Sequence, residues 1–109
     1  MTRTTPLHEA LLELGLEDWI PLPEIFATPE VRSIIDSDRA TEMVSLALVD
    51  LLRQGQIQVW AGRWPDEPTL VSEDLAESIL LDGRRYSFDA EASGLERVFF
   101  VNVKNFSAQ

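Results

Sequence analysis

The chain has 109 residues, 45% hydrophobic and 26% charged, with nineteen acids against nine bases and a formal net charge of −10. That length and apolar share fit one domain with a core of its own, held without disulfides or metal. The lack of cysteine and the single histidine, His8, exclude from this chain disulfides, thiolate zinc sites, cysteine nucleophiles, HExxH sites and multi-histidine metal sites.

The acid excess is spread along the chain. Residues 1–55 hold four bases and ten acids, and residues 56–109 hold five and nine, so no basic half hides inside the acidic total. Nucleic-acid binders draw most of their affinity from Lys and Arg on phosphate. An anionic surface instead favours basic partners and solubility. Glu9 and Glu13 interrupt what would be an apolar signal core, and no apolar run nears the ~20 residues that span a bilayer. The reading is a cytoplasmic protein with no membrane partner. Eight of the nine bases are arginine, a usage that fits a GC-rich bacterial genome and carries no functional message.

Thr5-Pro6 predicts the N-cap and first residue of a helix, since proline there gives up a donor that has no partner anyway. Leu7, Ala10, Leu11 and Leu14 fall on one face of it, and Gly15 reads as the positive-φ residue that ends it. In "EDWIPLPEIFATPEVRSIIDS" the prolines Pro21, Pro23 and Pro29 forbid one long helix. A short turn at 23–27 and a second helix at about 29–36, opened by Thr28-Pro29, are predicted instead. Trp19, Ile20, Leu22, Ile25, Phe26, Val31, Ile34 and Ile35 supply core material, with Trp19 as an anchor.

Asp38 predicts the cap of a third helix over roughly 39–54, closed by Gly55. "QIQVWAG" then alternates as a strand with Ile57 and Val59 inward, and "RWPDEPT" reads as a loop. Ser72 predicts the cap of a fourth helix at about 73–81. Glu73 and Asp74 suit its positive end, Val71 and Ala76 make a staple, and Gly83 closes it. "RRYSFDA" and "ERVFFVNV" read as two strands of a hairpin around Glu91–Gly94. The second of these is apolar on both faces, as a strand central in a sheet or paired with another chain would be.

The predicted order is ααα-β-α-ββ, an α+β chain with a small antiparallel sheet in one domain over 1–109. Over about residues 5 to 65, the succession of three helices, glycine, strand and loop resembles the winged helix-turn-helix superfamily. "ATEMVSLALVDLLRQGQIQVWAG" stands in the place of recognition helix and first wing strand, and a helix between the wing strands departs from the simplest versions of the fold. The resemblance implies, for members that bind DNA, that the outer face of the third helix enters the major groove.

Such a face needs Arg, Lys, Asn, Gln, Ser or Thr for base edges and phosphates. At 100° per residue, Val44 centres a buried side with Ala40, Ala47, Leu48 and Leu51, flanked by Met43 and Leu52. Glu42, Ser45, Leu46, Val49, Asp50 and Arg53 are left outward. Only Arg53 among them carries the positive charge that phosphates call for, and the loop beyond the strand offsets Arg63 with Asp66 and Glu67. Two explanations remain for the outward pair Leu46 and Val49: a second face covered by the fourth helix or the C-terminal hairpin, or a contact surface for another protein.

Trp60, Arg63 and Trp64 cluster at the strand end and loop, either packing on the core or supplying interface anchors. Arg84, Arg85 and Arg97 are the one basic concentration; with Asp82, Asp89, Glu91 and Glu96 nearby they read as cross-strand ion pairs. The acid pairs Glu73/Glu77 and Asp36/Asp38 fall where helix starts explain them, and no Gly-rich phosphate cradle, GxSxG elbow or Walker sequence is present. The expectation is therefore no enzyme, no cofactor and no metal. The leading reading is a protein-interaction module with an acidic exterior, anchored by Leu46, Val49, Arg53, Arg63 and Trp64. Its partner would be a second copy or another protein, for which a basic toxin or nuclease would fit the charge. A DNA-binding transcriptional regulator is the alternative, and nucleic acid ranks below protein as partner.

Overall fold

Thr5 opens the first helix with a reciprocal cap. Its carbonyl accepts the Glu9 N–H at 3.1 Å, its Oγ1 accepts the His8 N–H at 3.3 Å, and its own N–H is donated to His8 Nδ1 at 3.3 Å. Histidine here fills the place usually taken by Glu or Gln in a capping box. This is the start of a computed structural model that describes residues 5–17, 19–35, 38–62, 67–86 and 97–104. Helix α1 spans Pro6–Glu17, α2 Pro29–Arg32, α3 Ala40–Arg53 and α4 Glu73–Leu80. They accompany one four-stranded antiparallel sheet, β1 (Ile20–Pro21), β2 (Ile57–Gly62), β3 (Thr69–Leu70) and β4 (Arg97–Asn102), in the order β1-β4-β2-β3. The chain is thus an α+β fold.

Helix α3 ends as its sequence predicts. Gly55 takes φ 71°, Gly55 N–H bonds to Leu52 C=O and Gln56 N–H to Leu51 C=O, both at 3.0 Å. That pair of bonds satisfies the last carbonyls of the helix through a left-handed glycine. The turn leads straight into β2, where Ile57, Val59 and Ala61 are buried on one face. Val59 pairs with Phe100 and Phe100 with Ile20, giving an inner row against which the helices pack. Leu11 and Val31 come from α1 and α2, Val44, Leu48 and Leu51 from α3, and Ala76, Ile79 and Leu80 from α4, all in the same core cluster.

Gly15 does not end the first helix. The helix runs on to Glu17, and a Cβ on Gly15 would lie 2.8 Å from the Asn102 backbone nitrogen and 3.2 Å from the Phe100 ring. The glycine is there for close approach to β4, reinforced by a bond from Asn102 Nδ2 to Leu12 C=O at 3.1 Å. Pro29 opens α2 as expected, but that helix is four residues long, followed by looser turns at Ser33 and Ile34. Leu22–Ala27 forms the short turn in 3-10 geometry. Arg39, rather than Asp38, is the cap residue of α3, and Ser72 caps α4.

The C-terminal hairpin is corrected in its first half. Gly83–Tyr86 is a 3-10 turn rather than a strand, because Asp82 Oδ1 accepts the Arg84 N–H at 3.1 Å and its carbonyl accepts the Arg85 N–H at 3.0 Å. Local side-chain capping of this kind competes with strand pairing. Tyr86 is buried and its hydroxyl donates to Leu80 C=O at 2.7 Å. Residues 87–96 lie outside the described residues. Strand β4 takes β2 and β1 as its neighbours and so lies inside the sheet, the first of the two explanations for its apolar sequence.

Candidate functional site

Helix α3 packs against α1, α4 and β2, so its buried arc is wider than one stripe. Ser45 and Val49, expected outward, are 7% and 5% exposed. Val49 therefore belongs to the core and is withdrawn as a contact residue. The outward pair is resolved by covering for Val49 and by exposure for Leu46, which is 50% accessible. What remains of the outward set at the surface of α3 is the run Glu42, Leu46, Asp50 and Arg53, each three or four residues from the next. Residues at those spacings are neighbours on a helix.

Leu16, Leu70, Leu75 and Leu81 are about as exposed, and an isolated exposed leucine needs no explanation. Leu46 differs because it lines a groove of about 300 Å³, open on one side, between α3 and the start of α1. Pro6, Leu7, Ile34, Met43 and Ala47 complete its apolar walls. Thr5, His8 and Asp50 form its polar end.

That polar end is built. His8 is buried, with Nδ1 3.3 Å from the Thr5 backbone nitrogen and Nε2 3.3 Å from Asp50 Oδ2. The Thr5 hydroxyl also sits 2.5 Å from Nδ1. One side chain thereby caps α1 and ties it to the last turn of α3. Asp50 is held by its Oδ2 while its carboxylate stays 43% exposed. The same carboxylate lines the groove and lies near enough to Arg53 to act on its charge. The Thr-x-x-His spacing from Thr5 to His8 is the signal by which the sequence could have revealed this tie.

Arg53 lies outside the groove. Its guanidinium is bonded to the Glu77 carboxylate of α4, which raises its pKa above the ordinary arginine value, first through that hydrogen bond and then through the charge. Arg63 and Trp64 lie outside the described residues. Trp60 stacks on Trp19 with ring centroids 4.9 Å apart, and Phe99 and Arg97 extend this cluster on the face of the sheet away from the helices. Arg84 and Arg85 reach back to Asp82 at 2.9 and 3.7 Å, and Asp89, Glu91 and Glu96, the acids expected to pair across the hairpin, lie outside the described residues. The Arg84 hydrogen bond is the main reason the Asp82 carboxyl is held below its ordinary pKa.

Among the described residues, no group of three or more His, Cys, Asp or Glu is placed to hold a metal ion, and no helix is long and apolar enough to cross a membrane. No protein-family model, curated protein or solved structure matches the chain.

Proposed function

We propose that the chain is a non-catalytic protein-interaction module that takes an apolar side chain of its partner into the groove beside Leu46. The observation that carries this reading is a half-exposed leucine lining an open apolar groove whose far end is fixed by the Thr5–His8–Asp50 ties. Pockets that enclose small ligands bury most of the ligand and start near ~300 Å³. A shallow groove at that lower limit, open on one side, suits an anchor side chain better than a whole metabolite. The winged-helix frame belongs to the same proposal, supported by the passage from α3 through Gly55 into β2 and its ribbon with β4.

That same passage favours the second reading, a DNA-binding regulator. Against it stand the carboxylates of Glu42 and Asp50 on either side of Leu46 and the engagement of Arg53 by Glu77. A phage-displayed random-peptide selection against the whole chain, counter-selected with L46S, tests the interaction reading. Peptides that bind the parent and lose L46S are expected; a selection whose winners bind both equally refutes the groove. Titration with non-specific duplex DNA tests the alternative. Micromolar binding that falls steeply with added salt would install the regulator in its place.

A further inference from the structure

We infer that the groove's occupant is a basic segment of another protein, presenting one large apolar side chain with a Lys or Arg close enough to reach Asp50. The inference rests on the interaction reading and names the partner's chemistry. Leu46 stands between two acids on the exposed run of α3, Glu42 one turn before it and Asp50 one turn after. Glu42 accepts a bond from Arg39 Nε at 3.2 Å, whereas Asp50 lines the groove with a carboxylate that is 43% exposed and whose Oδ2 lies 3.3 Å from His8 Nε2. A cation there would meet a carboxylate already oriented by its other oxygen, so less freedom is lost on binding.

A second copy of the chain is the rival occupant, and charge opposes it. A two-fold contact through this face would bring the Glu42 and Asp50 carboxylates of one copy near those of the other. Each copy also carries a net charge of −10, which slows self-encounter and speeds encounter with a cationic partner. An acidic or neutral segment could fill the apolar walls but would gain nothing from the Asp50 carboxylate, because Arg53, whose charge Asp50 also feels, is bonded to Glu77 instead. The cation is therefore the specificity element, and the apolar side chain the anchor.

The peptides recovered by the phage selection on the parent chain, synthesised and measured by fluorescence anisotropy at low and high salt, test this. Winners should place Leu, Ile, Met, Phe or Trp within one helical turn of Lys or Arg. L46S should remove binding, and D50N should weaken it about tenfold and flatten its salt dependence, as loss of one charge-assisted bond implies. If D50N melts early, E42Q, further from the groove ties, should still weaken binding about twofold by removing a flanking charge. Winners that need Leu46 but lack the cation, or ignore both charge variants, overturn the basic occupant and leave the interaction reading standing. Winners indifferent to Leu46, or none at all, bring down both. A parent that sediments as a dimer and an L46S variant that sediments as a monomer would hand the groove to a second copy and overturn the inference alone.

Discussion

Val49 and Leu46 are three residues apart on one helix, similar in chemistry, and the structure assigns them opposite roles. Val49→Ala removes two methyl groups from a side chain 5% exposed. At ~0.8 kcal/mol per buried methylene-sized group the transfer loss is about 1.6 kcal/mol. The cavity left between α3 and its neighbours raises the cost to about 2–3 kcal/mol. For a domain of this size each kcal/mol lowers the melting temperature by about 4–8 °C, so a fall of roughly 10–20 °C is expected. Leu46→Ala trims a side chain 50% exposed, and the better helix propensity of alanine offsets part of that loss. The net change should stay within about 1 kcal/mol. Paired urea and thermal melts of the two variants give the answer, with an unchanged denaturant slope confirming that only stability has moved. If V49A melts within a few degrees of the parent, or L46A falls as far as V49A, the division of this helix into a covered and an open side is wrong.

Gly15→Ala should destabilise the protein by about 1–3 kcal/mol through overpacking, although alanine inside a helix ordinarily gains about 1 kcal/mol over glycine. A urea melt showing a gain would refute the close approach of α1 to Asn102 and Phe100. Tyr86 offers a pH test: burial raises its phenol pKa above the ordinary value, so the folded state resists ionisation more than the unfolded one. Its contribution is fully present below the unfolded value of about pH 10 and is lost as pH rises beyond it. Tyr86→Phe should cost about 1 kcal/mol at neutral pH through the lost bond to Leu80 and flatten the alkaline fall. A fall of equal steepness in Y86F would show that another group is responsible.

Several elements were legible because their determinants are local. Thr5-Pro6 and Thr28-Pro29 open helices, Gly55 closes one, and the alternation over Ile57–Ala61 names the inner face of β2. Each depends on residues within a turn or two of one another. The same reasoning mistook Gly15 for a helix end, because a glycine needed for close approach looks the same in sequence as one needed for positive φ. It also extended a strand through Arg84–Tyr86, where β-prone residues follow an aspartate whose side chain turns the backbone instead.

The candidate site was half legible. Leu46 was named as outward and is; Val49, about 20° from Glu42 in projection, was named with it and is core. Periodicity ranks positions around a helix but cannot say how many neighbours the helix has, and α3 has α4 beside it as well as α1 and β2. His8 was noticed only as the lone histidine, since its partner Asp50 is 42 residues away. Composition and local pattern alone established the acid excess, the missing cysteine chemistry, the starts of α1, α2 and α4 and the end of α3. Which face of α3 meets water, which strands flank β4, and where the one histidine points were decided by contacts between segments distant in sequence, because burial is a property of the neighbour that arrives rather than of the residue that waits.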